Sequence, residues 1–299
     1  MNGYPVEDSH FHYSYVRIWN SLKNQNCSRG ATMGQLGMYW TFTRKAFLRS
    51  AVYRFEVWSR TGSNLIFLLM WGSIWTALYA GREEAGGVTF TAMLTYIVVS
   101  QFLDGINEAG TPLWEIQEKV RTGDISLELM RPFDVPLRYL FADFGSVTFY
   151  MITALLPLYA IIFFFLDLAL PTNFLTWIYF ILSAFIGFLI RYCVEMTFGL
   201  LTFFLVETGG IEDIFYFAMS LLSGSVIPLW FFPGWLETIA VYLPFQTIFF
   251  MPISIFIGET AGSQILTSFG IQFFWLIVCY LVLRFVWNRA SHKVVVQGG

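Results

Sequence analysis

Asp104, Glu108, Arg191 and Glu195 interrupt long apolar runs, and an ionisable group in such a place is either paired or set to bind something. Arg191 and Glu195 lie one helical turn apart. The run that holds them, 171–206, has 36 residues and would be about 54 Å long as a helix, well beyond a hydrocarbon core of about 30 Å. If crossing starts near Phe174, Arg191 arrives at an interface where it can snorkel. A structural pair is the ordinary reading and substrate contact the sharper one; the same two readings apply to Asp104 and Glu108.

Catalytic patterns are missing. No GxxxxGK[ST] phosphate loop occurs, so the chain is not expected to bind and hydrolyse ATP by itself. His10, His12 and His292 all lie in the tails, away from any intramembrane metal site or acyl-transfer base. Neither a GxSxG elbow nor an HExxH pair is present. Cys27, Cys193 and Cys279 are far apart, with no CxxC, which argues against a zinc knuckle, a redox pair or a disulfide framework. These absences point away from an enzyme and from a metal or cofactor held on this chain.

The elements that must position the charges are apolar to an unusual degree. Of 299 residues 57% are hydrophobic and 12% charged, about half the charged share of a soluble domain. The 33 Phe and 11 Trp suit lipid contact and interfacial belts. A net charge of −3 gives no field that would draw nucleic acid. An all-α integral membrane domain over 38–299 is expected, preceded by a polar extension, 1–37, expected to be disordered, with no secretory signal.

Six spans are expected, at 62–80, 88–106, 144–166, 174–206, 214–232 and 265–283. The stretch 233–258 is apolar except for Glu237, but Pro233, Pro244 and Pro252 each remove a backbone donor. Two short re-entrant helices on one side of the membrane are expected there, not a seventh span. Arg44, Lys45, Arg49, Arg54 and Arg60 before the first span and Arg284, Arg289 and Lys293 after the last place both termini in the cytoplasm, in a cytoplasmic membrane.

Two further segments stand out. Residues 38–60 read as a helix on the inner membrane surface, with Trp40, Phe47, Ala51, Phe55 and Trp58 on one face. In the loop between spans two and three, Thr111 suits an N-cap, Pro112 a first helical position and Gly123 a stop, with a second short helix over 125–130. That pair of helices is either a lever for a partner protein or an ordinary solvated loop.

From Arg121 onward the chain resembles the ABC-2 type permeases, in particular those termed viologen or multidrug exporter permeases. "RTGDISLELMRP" at 121–132 meets that pattern through Arg121, Gly123, Ile125, Leu129, Arg131 and Pro132. "GSVIPLWFFPGWLETIAVYLPFQ" at 224–246 meets it through Gly224, Ile227, Pro228, Leu229, Phe232, Pro233, Leu243, Pro244 and Phe245, and the tail "VVVQGG" at 294–299 also fits. The resemblance implies a six-span permease of the type V exporter kind, with an interfacial N-terminal helix, a cytoplasmic coupling helix and extracellular re-entrant helices. It implies efflux, a second permease of the same or a different chain, and two copies of a separate ATPase carrying ATP and Mg. Glu115, Glu118, Lys119, Arg121 and Asp124, with the motif residues of 123–132, are then expected to couple to the ATPase, and Pro228, Phe232, Pro233, Pro244 and Phe245 to form an outer gate. The competing class is a secondary carrier or channel without an ATPase, which usually shows repeat symmetry, and no clear repeat is visible.

Overall fold

The computed structural model describes residues 32–110, 113–131, 133–204 and 210–291. The first 31 residues of the expected extension, Thr111, Pro112, Pro132 and the tail from 292 lie outside the described residues.

Helix α1 (Thr32–Val52) packs along α6 (Val135–Tyr150). Tyr39 stacks on Phe141 and Phe47 meets Phe149 edge-on, each at 5.1 Å between ring centres, and Thr43 Oγ1 donates to the Phe141 carbonyl at 2.8 Å. The backbones approach so closely at Gly145 that a Cβ there would sit on the Thr43 carbonyl. The inward face is therefore Tyr39, Phe42, Thr43, Ala46, Phe47 and Ser50, at i, i+3, i+4, i+7 spacing. The expected single helix over 38–60 is two. The chain breaks at Tyr53, which splits the expected stripe between two helices and leaves Trp40, Phe55 and Trp58 exposed.

Helix α2 (Arg54–Tyr79) leads through a two-residue hairpin, β1 (Glu84–Ala85) and β2 (Val88–Thr89), into α3 (Phe90–Glu108). Gly86 and Gly87 both take positive φ, as the tight turn between those strands requires. The Thr89 hydroxyl caps α3 by accepting from the Ala92 amide. Beyond α3 come α4 (Leu113–Thr122), α5 (Ile125–Leu129) and α6. A π-turn, Met151–Leu155, carries α6 into α7 (Leu156–Phe165), because Pro157 has no N–H for the preceding turn. Helix α8 (Phe174–Leu200) follows, then α9 (Ile211–Ser223), α10 (Gly234–Val241), α11 (Phe250–Ile257) and α12 (Ser263–Ser291).

Among the described residues four helices are long and apolar enough to cross a membrane: Phe55–Tyr79, Val135–Phe165, Phe174–Leu200 and Ser263–Ser291. Helix α3 is not one of them. It carries Asp104 and Glu108 and lies within the bundle, with buried residues over more than half its length. The stretch 214–232 is not one helix either, since α9 stops at Gly224, whose φ is +81°, and a 3-10 turn at Leu229–Phe231 follows. In 233–258, α10 exposes Trp235 and Ile239, whereas α11 is buried from Met251 to Phe256 against α3 and α8. Gln272, fully buried on α12, donates to the carbonyls of Ser183 at 3.1 Å and Thr247 at 2.9 Å, pinning α12 to α8 and to the turn before α11.

Candidate functional site

Two groups of charged side chains are built by this fold. The first lies on the α4–α5 segment. Gly123 takes φ +81°, so α4 ends there and the chain turns sharply into α5. Ile125, 1% exposed, anchors α5 in the core. Beside it the buried Glu128 carboxylate accepts from Lys119 Nζ at 3.1 Å and from Arg138 Nη1 at 2.7 Å. Lys119 also reaches Glu115 at 3.1 Å and the Tyr139 hydroxyl at 2.9 Å. Burial alone would depress the Lys119 ammonium, but Tyr139 and Glu128 outweigh it and the pKa is raised. Arg49 of α1 stands 4.0 Å from Glu115. Glu128 thus ties α5 to α4 and to α6 at once.

Of the expected coupling residues, Glu118, Arg121, Asp124 and Arg131 are exposed and Leu129 is half-buried. Lys119 is a correction. Expected among the residues that couple to an ATPase, it instead turns its ammonium inward onto Glu128. Glu115 is likewise engaged within the segment. The outer face has two apolar members that sequence reasoning missed, Leu127 at 59% and Met130 at 79% exposure. Glu128 was missed too, because its partner Arg138 lies ten residues away across a turn.

The second group lines a cavity of about 480 Å³. The structure brings Asp104, Glu108, Arg191 and Glu195 to one place, joined by Arg60. Arg191 Nη2 lies 2.7 Å from Glu195 Oε1, and its other amino group donates to the Asn107 carbonyl. Arg60 pairs with Glu56 at 2.6 Å and donates to the Glu108 carbonyl. The remaining wall comes from α9 and the turn after it, through Tyr216, Met219 and the serines 220, 223 and 225, with Phe249 closing one side. The expected pairing of Arg191 with Glu195 is present, but the pair also forms a wall of an open, polar space.

The expected outer gate is not one cluster. Phe232 packs with Leu229 and Ala240, whereas Phe245 packs against the main core. Trp230 and Phe231 make the cross-contacts instead. Trp230 meets Tyr96 and Phe250, both at 5.2 Å, and Phe231 meets Trp75 at 5.0 Å while lying over Gly86 of the hairpin. Tyr96 donates to the Gly224 carbonyl at 2.7 Å, which holds the end of α9 to α3.

The family model described as ABC-2 family transporter protein matches residues 65–298, which include both charged groups except for Arg49 and Arg60. No curated protein matches the chain. The chain belongs to the ABC-2 transporter family, and it is a multi-pass membrane component of a transporter of the ABC class. The match begins inside α2, so α1 precedes it.

Proposed function

We propose that this chain is the permease subunit of an ATP-driven ABC exporter, working with a second permease, identical or different, and with two copies of a separate ATPase that binds ATP and Mg. The observation that carries the reading is the outer face of the α4–α5 segment. Glu118, Arg121, Asp124, Leu127 and Met130 are presented together on a base fixed by Glu128 and Ile125. A protein partner that must transmit force needs exposed apolar and charged side chains on a support that does not yield.

In this reading the chain crosses a cytoplasmic membrane six times with both ends inside. The four long apolar helices make four of the crossings. Helix α3, about 28 Å long, makes another within the bundle, where its polar groups face protein. Residues 211–232 make the remaining one, with α9 covering about 20 Å of it. Helices α10 and α11 stand on the outer side as gate and support. ATP-driven closure of the ATPase pair pushes the α4–α5 segment and alternates exposure of a path between the two permeases. Multidrug efflux follows the family resemblance.

The test is charge reversal on the exposed face, R121E with D124K, in the chain co-expressed with its ATPase. ATPase activity coupled to transport is expected to fall severalfold with membrane insertion intact. Full coupled activity would remove the segment from the interface. A second reading, a secondary carrier, is favoured by the ionisable groups around the cavity. Purification in mild detergent separates the two: an ATPase with a phosphate loop copurifies with a permease and not with a carrier.

A further inference from the structure

We propose that the outward face of α1 binds anionic phospholipid headgroups. Helix α1 contains no Asp or Glu in its 21 residues. With Tyr39, Phe42, Thr43, Ala46 and Phe47 turned onto α6, the opposite side exposes Arg44, Lys45 and Arg49, interleaved with Trp40, Leu48 and Val52. Among the described residues Arg44 and Lys45 form no ion pair, and Arg49, its side chain 67% exposed, stands 4.0 Å from Glu115, beyond hydrogen-bond distance. Three cations therefore share one face with room for an acceptor. The family match begins at residue 65 and assigns nothing to this helix.

The depth of the face identifies its partner. The continuous helix Val135–Phe165 has 31 residues, about 46 Å, so about 16 Å projects beyond a hydrocarbon core of about 30 Å. Its far end is uncharged, with Phe164 83% and Phe165 77% exposed, and suits lipid; the α6 end carries Arg138 and Asp143 and holds the surplus. Helix α1 packs on that α6 end, through Phe42 on Phe133, Tyr39 on Phe141 and Phe47 on Phe149. It is also joined to α2, a spanning helix, through Tyr53 alone. Both constraints hold α1 at the level of the headgroups, where Trp rings and long cationic side chains settle. A phosphodiester there supplies the acceptor oxygens and the negative charge that the three cations lack. In a zwitterionic headgroup the ammonium offsets that charge, so the anionic lipid is preferred. An acidic protein would satisfy the cations but would have to displace lipid from Trp40, Leu48 and Val52.

The experiment keeps the full chain in lipid nanodiscs. Leu48→Cys, in a Cys27→Ser background that leaves only the buried Cys193 and Cys279, carries an NBD fluorophore, and the background without Leu48→Cys serves as the blank. Quenching is compared between phosphatidylglycerol and phosphatidylcholine, each nitroxide-labelled high on the acyl chain and present at the same mole fraction. The phosphatidylglycerol probe is expected to quench about fivefold more, the factor for one basic residue beside an anionic lipid. That preference should fall toward parity in R44Q/K45Q and in about 0.5 M sodium chloride. Ile277→Cys in the middle of α12, 60% exposed, should show no preference. Sodium phosphate at equal ionic strength should act as the chloride does; a larger loss would assign the face to free phosphate and overturn the lipid. Equal quenching by the two lipids at position 48, which would leave the cations to an acidic protein or to topology alone, overturns the proposal, as does an equal preference at 277. The lipid comparison on the cation-intact protein decides the matter even where R44Q/K45Q does not insert.

Discussion

Replacing Glu128 with alanine should undock α5 without unfolding the protein. The carboxylate receives Lys119 at 3.1 Å and Arg138 at 2.7 Å, with side-chain exposures of 12% for Glu128, 24% for Lys119 and 22% for Arg138. A fully exposed pair contributes about 0–1 kcal/mol, and breaking a fully buried one costs about 3–5 kcal/mol. These cations keep about a fifth of their surface, so each can turn partly to water after the loss. A cost of about 2–3 kcal/mol for Glu128→Ala lies between those limits, and about 1–2 kcal/mol for Glu128→Gln, which retains the shape and one acceptor. A helix of five residues has no stability of its own, so the whole cost falls on docking. At tenfold per 1.4 kcal/mol, the undocked population rises about thirty- to hundredfold. Hydrogen exchange on the nanodisc-held protein reads this directly: protection over 123–131 drops by that factor while α8 and α12 exchange as before. A double-mutant cycle of Glu128→Ala with Arg138→Gln should fall short of additivity by about 1–2 kcal/mol. Unchanged protection over 123–131 would mean that Ile125 alone holds α5 and that the charged base has no such role.

Three other outcomes follow from particular contacts. Gly145→Ala should separate α1 from α6 and cost about 1–3 kcal/mol, read as a lower melting temperature, whereas Gly72→Ala, with nothing within 4 Å of an added Cβ, should cost nothing. Cysteines at Glu237 and Tyr242, both exposed, should react with an impermeant maleimide from outside the cell, while Gln246, 3% exposed and donating to the Val241 carbonyl at 2.6 Å, should stay unlabelled; labelling from the cytoplasm alone would reverse the proposed topology. The Lys119 pKa is raised above the ordinary 10.5, so its contribution is complete below that value and is lost only as pH rises through the higher folded value. Exchange protection of α5 should therefore not decline between pH 7 and about pH 10 through loss of this ammonium, and a decline that Lys119→Arg abolishes would contradict the sign.

Apolar length was the most readable property. The runs around 174–200 and 263–291 are apolar over more residues than a bilayer core needs, and continuous helices lie there. At 214–232 hydropathy marks the apolar stretch and not the break within it, because it averages over a segment and is blind to what ends one. A single glycine at 224, adopting a φ open to few other residues, stops α9 at Ser223, and the chain turns before the apolar stretch is finished. The stripe expected over 38–60 failed for the opposite reason. No proline or glycine announces the break at Tyr53, so two helices with different facing directions read as one. Within the α4–α5 segment the glycine stop at 123 was legible, but the inward turn of Lys119 was not, since it depends on Tyr139 and Glu128 arriving from other turns.

The cavity lay beyond any local reading, as Arg60 reaches the Glu108 carbonyl over 48 residues and Arg191 reaches that of Asn107 over 84. Its position nevertheless bears on how a partner's motion would be used. Helix α3 ends at Glu108, four residues short of α4, so a shift of the coupling segment pulls on the wall that carries Asp104, Asn107 and Glu108. Helix α4 also packs against α8, which carries Arg191 and Glu195 on the facing wall. One segment is thus joined to both sides of the cavity, by chain continuity on one and by helix packing on the other. Packed helices shift as units and do not stretch, so displacement of α4 changes the separation of the walls and leaves each wall intact. In a transporter driven from the cytoplasm, that is the change needed to narrow or widen the space between them.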